Sequence, residues 1–237
     1  MAEATQKYRE DAQPAVMVKG DDNTPIRLKG AAIELFSRHG IEGVSVRSIL
    51  SAASVKNSAG LHYYFRTKDD LLRELVRDAL ERTRRARNAA LDALEALQKP
   101  ITVRDIIRLI VYVETIGTGD PEQREDVPIG FGHMRFISVM QLNHRDKFVE
   151  AVRKEGDNSF QRCLEHIARA SPSVPRRELN QKVIFFFQFA QASLSMREAA
   201  FISDPSGGKL WGAPDALDNM IDALAAIFST GGQHEEA

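Results

Sequence analysis

Three short polar side chains are predicted to lie on the same side of a short helical segment in the first third of the chain, and their chemistry suits contact with DNA bases. Leu61 and Phe65 are one helical turn apart and predict the buried side of this segment. Asn57, Ser58 and His62 are then left on the outward side. Groups of this size can reach base edges in a major groove without steric conflict. The segment is therefore a candidate for reading a DNA sequence.

Groups that can bind phosphate flank this segment. Ser45 is placed to cap the N-terminus of the preceding helix, whose free N–H groups favour an anion, and Arg47 lies in its first turn. Lys68 lies in the first turn of the following helix, where a cation opposes the helix macrodipole and a phosphate partner would compensate it. Tyr63 is expected to hold a phosphate oxygen through its phenol, whereas core packing is the favoured interpretation for Tyr64.

Two short helices and a tight turn must position these groups. The apolar side of the first helix is formed by Val46, Ile49, Leu50 and Ala53. A turn near residues 54–56 joins it to the second helix. Gly60 lies in that second helix and costs about 1 kcal/mol of helix propensity relative to alanine. Close approach of the backbone to DNA and tight helix packing explain this glycine equally well.

The charge distribution agrees with a nucleic-acid partner. The 237 residues carry a formal net charge of −1, but residues 24–68 hold seven basic and two acidic groups, a local charge of +5. A basic segment on an otherwise acidic chain is typical of a DNA-binding unit. The charge alone leaves chance clustering on a solvated surface as the alternative.

At these residues the sequence resembles the tetracycline-repressor (TetR) family of transcriptional regulators, over about residues 26–75. In family members the first helix typically ends in a Phe followed by a Gly, and this chain has LFSRHG at 35–40. The second helix typically begins after a Gly and a Ser, and this chain has GVSVRSI at 43–49. A tyrosine-rich third helix and a Thr-Lys-acidic-Leu-Leu start to the fourth follow, here in LHYYFRTKDDLL at 61–72. So many agreements at fixed spacing make the resemblance specific.

Two positions depart from the family pattern. The turn SVKN at 54–57 is one residue longer than the commonest form, and Arg66 stands where Gly or Pro is more usual. Both departures affect only which side chain meets which base. The resemblance implies phosphate contacts for one set of residues and base contacts for another. The phosphate set is Ser45, Arg47, Tyr63 and Lys68, and the base-facing set is Lys56, Asn57, Ser58 and His62.

The resemblance also implies an all-α fold, in which a three-helix helix-turn-helix head is joined by a long helix to a helical-bundle body. Residues 1–23 are polar and aperiodic and are expected to form a disordered tail. The DNA-binding domain is expected over 24–72 and the effector-binding and dimerisation domain over 73–237. The helical periodicity predicts helices at about 25–39, 46–53, 57–64, 68–99 (with a possible kink near 82–87), 103–117, 128–141, 144–170, 175–203 and 215–229.

The last two long helices are expected to form a dimer interface. Residues 183–194 are apolar nearly all round their helix, which is typical of a helix buried on every side. The body is too small to bury it with its own helices, and the amphipathic last helix follows closely. Both helices are therefore expected to pair with the same two helices of a second copy across a two-fold axis, as the resemblance also implies. An ordinary single-chain core is the alternative.

A ligand pocket in the body is implied by the resemblance alone. Its candidate lining carries little charge, which suits an apolar or aromatic effector, although a plain core role is the simpler interpretation for any single residue. The candidates are His133, Met134, Phe136, Met140, Phe187 and Gln191. The expected function is a sequence-specific repressor that this effector releases from operator DNA. A repressor that binds no ligand is the first alternative, and an all-helical enzyme is the second.

The sequence lacks the patterns of several other protein classes. The six histidines have no metal-ligand spacing and no phosphate-binding glycine loop is present, so no catalytic residue, metal or cofactor is predicted. The single cysteine, Cys163, is expected to be a small buried hydrophobe. No apolar run approaches the roughly 20 residues of a membrane span, and the N-terminus has no secretory leader pattern. A cytoplasmic protein without membrane contact is therefore expected.

Overall fold

The computed structural model describes residues 23–56, 60–115, 132–156 and 158–229, so most of the expected N-terminal tail lies outside the described residues. Within those ranges the chain is all helical and has no strand, as predicted. None of these helices is long and apolar enough to cross a bilayer. In chain order they are α1 (Thr24–His39), α2 (Val46–Ala52), α3 (Gly60–Phe65), α4 (Lys68–Ala96), α5 (Val103–Thr115), α6 (His133–Asn143), α7 (Arg145–Glu155), α8 (Asn158–Ala170), α9 (Arg176–Ser203), α10 (Gly208–Trp211) and α11 (Ala216–Ser229).

The first three helices form a small head with its own apolar cluster. Gly40 ends α1 with a φ of 70°, a conformation that glycine adopts without steric cost. Ser45 caps α2 as predicted, because its hydroxyl accepts a hydrogen bond from the backbone N–H of Ser48 at 3.1 Å. Val46 was expected on the buried side of α2, but it is 37% exposed. Val44, just before the cap, is the valine that is buried in the head.

The long helix α4 joins the head to the rest of the molecule. Thr67 caps it as predicted, by accepting a hydrogen bond from the N–H of Asp70 at 3.0 Å. The helix runs for 29 residues without a break, including the stretch 82–87 where the sequence suggested a kink. The first half of its buried side packs in the head, and Leu91 packs in the body.

The remaining helices form the body around a second apolar cluster. The helix expected over 144–170 is in fact two helices, α7 and α8, because Gly156 has a φ of 58° and ends α7. Thr102 and Asp105 form a reciprocal cap at the start of α5, with backbone-to-side-chain distances of 2.9 and 3.2 Å. Cys163 of α8 is fully buried in this cluster, as predicted.

Helix α6 belongs to both clusters. Phe136, Ile137 and Met140 pack in the head cluster together with α1 and the first half of α4. Met134, one turn earlier, packs in the body cluster. The boundary at residue 72 therefore remains a prediction, and the apolar packing of the head continues well beyond that residue, into α4 and α6.

Candidate DNA-binding surface and body cavity

The helix-turn-helix pair is held together by a close approach at Gly60. A Cβ atom at this position would lie 2.8 Å from Cγ1 of Val55 and 3.4 Å from Cδ2 of Leu50. The first distance is shorter than van der Waals contact, so any larger residue would push α3 away from the preceding turn. Of the two explanations for this glycine, tight packing is therefore the one that the geometry supports.

The turn between α2 and α3 contains a residue in the left-handed region. Ser54 has a φ of 55° and its N–H bonds to the carbonyl of Ser51 at 3.1 Å. Lys56 follows at the exposed end of the turn. Asn57 and Ser58, which are predicted to face bases, lie outside the described residues.

The two tyrosines of α3 have different environments. Tyr63 is 80% exposed, and its ring meets that of Tyr64 edge to face at a centroid distance of 4.8 Å. Tyr64 is partly buried and packs against the head cluster, in line with the packing role expected for it. The phenol of Tyr63 is thus accessible, and its contact with phosphate stays a prediction. Ser45 and Arg47 are likewise exposed at the start of α2.

His62 is exposed and has a defined tautomer. Its Nδ1 lies 2.6 Å from the carbonyl oxygen of Arg66, which can only accept a hydrogen bond, so Nδ1 carries the hydrogen. In the neutral ring Nε2 is then a hydrogen-bond acceptor. Arg66 itself has a φ of 58°, which explains why glycine is the more usual residue there. The carbonyl of Arg66 thereby orients the imidazole at the surface expected to face DNA.

Lys68 is turned towards the protein, which argues against its expected phosphate contact. Its ammonium donates hydrogen bonds to the carbonyls of Ile41 at 2.5 Å and Val44 at 2.6 Å. The same ammonium lies 5.6 Å from the centroid of the Phe36 ring. The cation is therefore stabilised by the connection between α1 and α2, and its structural role is to hold that connection against α4.

The body contains a cavity of about 350 Å³ between α4, α5, α6, α7, α8 and α9. Four of the six candidate pocket residues line it, namely His133, Met134, Phe187 and Gln191. Phe136 and Met140 do not: both are turned towards the head and packed in its cluster. Their position on α6 explains the difference, because they lie on the side of the helix that faces α1. Residues of the lining that sequence reasoning missed include Thr83, Arg87, Glu114, Gln141, Phe148, Phe160 and Leu194.

Two ion pairs are part of the cavity wall. Arg87 is almost fully buried, and its guanidinium lies 3.3 Å from Glu114 and 3.2 Å from the hydroxyl of Ser159. Arg84 lies 2.7 Å from Glu81. The sequence could have identified Arg87 as a buried residue, because Thr83 and Arg87 continue the buried side of α4 at helical spacing. A charged residue on a buried helical side is a candidate for a site rather than for core packing.

His133 is the buried polar group at the start of α6. It lines the cavity, is 3% exposed, and its Nδ1 has no hydrogen-bond partner. Burial lowers the pKa of His133 well below its usual value, and the nearby cation of Arg82 lowers it further. The ring is therefore neutral, and its Nδ1 is enclosed by protein atoms.

A buried carboxylate caps the same helix. Glu198 of α9 is 1% exposed and accepts hydrogen bonds from the backbone N–H groups of Arg135 at 2.9 Å and Met134 at 3.4 Å. These contacts favour the charged form, but the larger effect is burial, which raises the pKa of Glu198. Gly132, the residue before α6, has no side-chain cap of its own, so Glu198 supplies the cap from another helix.

The outer side of α9 is apolar and exposed in the single chain. Its large side chains Ile184, Phe185, Phe189 and Met196 are each more than half exposed. They lie on one side of the helix, opposite a buried row that runs from Leu179 to Glu198. The neighbouring α11 exposes two small apolar residues, Ala223 and Ala226, together with the polar residues Asn219, Asp222 and Ser229. Such an exposed apolar surface is what a helical dimer interface leaves when one copy is considered alone.

Together, these features define a class of protein: a helix-turn-helix head with an accessible polar and aromatic surface, attached to a helical body with an internal cavity. A family model described as bacterial regulatory proteins, tetR family, matches residues 30–75 of the chain. No curated protein sequence matches the chain significantly.

Solved structures at low sequence identity align with most of this chain. A transcriptional regulator from Rhodococcus sp. Rha1 is 14% identical, with a TM-score of 0.52. The match covers 90% of this chain and 99% of the regulator's chain. A proposed transcriptional regulator from Rhodococcus sp. RHA1 is 20% identical, with a TM-score of 0.49 and coverages of 89% and 97%. A proposed TetR-family regulator from Rhodococcus sp. is 13% identical, with a TM-score of 0.48 and coverages of 87% and 98%.

Residues 30–75 are therefore similar to the tetR family of bacterial regulatory proteins, and the chain is similar in fold to a solved transcriptional regulator. The matched residues include α2 and α3, the two helices of the helix-turn-helix.

Proposed function

We infer that the protein is a homodimeric repressor that binds operator DNA through two heads and leaves it when a small, largely apolar molecule enters the body cavity. In this proposal residues 24–72 bind DNA and residues 73–237 bind the effector and the second copy. Ser45, Arg47 and Tyr63 contact phosphates. Lys56, Asn57, Ser58 and His62 face the bases.

One observation carries the proposed release: α6 contributes to both the cavity wall and the core of the head. His133, Met134 and Ile137 line the cavity. Phe136, between them in sequence, is fully buried against α1. A ligand that displaces the cavity side of α6 must therefore also disturb the packing of the head, since a rigid helix moves as a unit.

Helix α4 supplies a second connection between the same two places. Ala79, Leu80, Thr83 and Arg87 line the cavity, and Leu71 and Leu72 of the same helix lie in the head cluster. Two heads can dock in successive major grooves only if their recognition helices are about 34 Å apart. A tilt of α4 in each copy changes that separation. The effector needs only to bind more tightly to the form in which the recognition helices are too far apart or too close together for DNA. The ratio of its affinities for the two forms limits how far it can shift the equilibrium between them.

The first test measures the division of roles on DNA. An operator is selected from random double-stranded DNA with the full-length protein, and affinities are then measured at several salt concentrations. We expect Arg47→Ala to weaken binding to all sequences and to reduce the salt slope by about one unit. We expect His62→Ala to change the preferred base at one position. The same sequence-independent loss for both variants would contradict the proposed roles.

The second test measures release. A compound that binds the body is titrated against a preformed complex with the selected operator. Loss of operator affinity at saturation supports the proposed regulation. Operator affinity that stays within about twofold at saturation of the cavity would instead favour a repressor controlled by its own abundance.

A further inference from the structure

Arg66, the residue that follows α3, has an exposed side chain beside the surface expected to face DNA. We propose that its guanidinium binds a phosphate of the operator backbone, in the role that the sequence predicts for Lys68. This inference rests on the proposed function, because it concerns how the head holds DNA, and it does not depend on any effector.

Four of the seven basic residues between positions 24 and 68 are bound by other groups of the protein. They are Arg27 with Thr24, Lys29 with Glu74 and Asp78, Arg38 with Glu34, and Lys68 with the carbonyls of Ile41 and Val44. Within the described residues, the exposed side chains of Arg47, Lys56 and Arg66 form no ion pair or hydrogen bond. These three cations lie around the helix-turn-helix: in the first turn of α2, in the turn before α3 and directly after α3. Such unpaired basic groups are what a DNA backbone attracts.

The position of Arg66 favours a phosphate contact over a base contact. In helix-turn-helix proteins the N-terminal residues of the recognition helix contact the base edges, whereas Arg66 follows the C-terminal end of α3. Its backbone N–H still bonds to the carbonyl of His62 at 3.0 Å, so it lies about one helical turn beyond that base-facing residue. A guanidinium placed there is suited to the phosphates at the edge of the groove, which it can bind through two parallel hydrogen bonds.

The backbone of Arg66 has a conformation that is unfavourable for arginine. Its φ of 58° lies in the left-handed region, which glycine adopts without the steric cost that an L-residue incurs. Residues held in such conformations are concentrated at functional sites. The chain therefore carries an arginine where glycine would make the folded protein more stable. A contact that forms only in the DNA complex explains this choice.

Contacts inside the protein do not explain it. The charge of Arg66 acts on the nearby carboxylate of Asp70, but that carboxylate accepts its hydrogen bonds from Thr67 at 2.6 Å and from Arg73 at 2.7 Å. A cation is also favoured at the C-terminal end of a helix, but α3 has only six residues. The left-handed backbone costs at least as much as that interaction gains. The main partner of the guanidinium is therefore the DNA.

The test measures binding of full-length variants to the selected operator at several salt concentrations. In Arg66→Gln and in Arg66→Gly we expect affinity to fall about tenfold or more, the effect of losing a hydrogen-bonded charge contact. The salt slope should fall by about one unit for each bound head. Arg66→Lys keeps the charge and should retain most of the slope. Arg38→Gln is the matched control, since this arginine of the same head is paired with Glu34, and it should change neither quantity.

Two further measurements separate a lost phosphate contact from other effects. Arg66→Gly should melt at the same temperature as the unchanged protein or higher, so weaker DNA binding cannot come from unfolding. A repeated selection with this variant should return the same operator sequence, because a phosphate contact carries no base preference. A changed base preference would overturn the phosphate assignment.

The outcome also distinguishes this inference from the proposed function. Unchanged affinity and salt slope in both Arg66→Gln and Arg66→Gly, while Arg47→Ala weakens binding, would overturn the inference and leave the proposed function in place. If the unchanged protein selected no DNA sequence at all, the proposed function would fail and this inference with it.

Discussion

Phe136 of α6 lies against Phe36 of α1, with ring centroids 6.2 Å apart and ring planes inclined by 24°. Both rings are fully buried. The core of the head is therefore completed by a residue that comes 100 positions later in the chain, on the helix that begins at the cavity. This pairing couples the stability of the head to the position of α6.

Removing the ring of Phe136 should destabilise the protein strongly. Phe136→Ala leaves a large cavity between α1 and α6, and we expect the free energy of unfolding to fall by about 3–5 kcal/mol. Urea unfolding at fixed protein concentration measures this change. Tyr63→Ala is the matched aromatic control, because Tyr63 is exposed, and it should alter the stability by no more than about 0.5 kcal/mol. A loss below about 1 kcal/mol for Phe136→Ala would show that α6 does not support the head.

Lys68 should behave as a structural residue rather than as a phosphate ligand. Lys68→Met removes two hydrogen bonds to the carbonyls of Ile41 and Val44. Hydrogen bonds from charged groups contribute about 1.5–3 kcal/mol each, so we expect a loss of at least about 1.5 kcal/mol in unfolding free energy. Arg47→Ala is the comparison: it should lower the salt slope of DNA binding and leave stability unchanged. If Lys68→Met lowered the salt slope without any loss of stability, the original phosphate assignment would be correct.

In the part of the chain that the structure describes, three non-glycine residues have positive φ, and glycine at these positions should stabilise the chain. Ser54, Arg66 and Gln98 have φ values of 55°, 58° and 51°. The left-handed conformation costs L-residues about 1 kcal/mol, so Arg66→Gly and Gln98→Gly should each raise the unfolding free energy by up to that amount. Gln98 lies beyond the end of α4 and controls for any effect of Arg66 on DNA. Gly60→Ala should act in the opposite direction, because its Cβ would lie 2.8 Å from Val55. Calorimetric melting temperatures of the three variants test these signs.

Local signals in the sequence were sufficient for most of the fold. Caps such as Ser45 and Thr67 are set by neighbouring residues, and helical periodicity identified α4 and α9. The direction of Lys68 was not predictable in this way, because its partners lie 24 and 27 residues earlier in the chain. The same applies to Phe136 and Met140: their apolar character is equally suited to a pocket and to a core. Only the packing of α6 against α1 separates the two possibilities.

Glu198 should give the protein a distinct pH dependence. Its pKa is raised by burial, so between the unfolded value near 4.5 and the raised value the folded state binds more protons than the unfolded chain. Stability contributed by this group therefore falls as the pH rises through that window. Glu198→Gln lacks the titration, so its stability relative to the unchanged protein should rise from pH 5 to pH 8. Urea unfolding at both pH values measures the difference.

Asp69→Asn is the control for this pH effect. The hydrogen bond from Lys147 lowers the pKa of Asp69, so its contribution to stability is present above the unfolded value of 3.8 and is lost only as the pH falls through the folded value. Between pH 5 and pH 8 the effect of Asp69→Asn should therefore be constant. A constant difference for Glu198→Gln as well would mean that Glu198 does not titrate in this range.

A charge on the outer side of α9 should separate the two copies. Phe189 lies in the middle of the exposed apolar side that Phe185 and Met196 extend, and a two-fold interface there should bury more than about 1,200 Å² in total. In Phe189→Glu each interface would bury two unpaired carboxylates, so we expect a monomer by light scattering at micromolar concentration. Leu142→Glu, at an even more exposed apolar position on α6, should remain a dimer.

The same variant tests the link between dimerisation and DNA binding. In a dimer, binding of the first head holds the second head close to its half-site, at a high effective concentration. A monomer has one head and lacks this advantage. We expect operator affinity to fall about a hundredfold or more in Phe189→Glu, while binding to an isolated half-site stays unchanged. Retained helical circular dichroism would show that the chain is still folded. A variant that is monomeric and yet binds the full operator as tightly as the unchanged protein would contradict the requirement for two heads at a fixed separation.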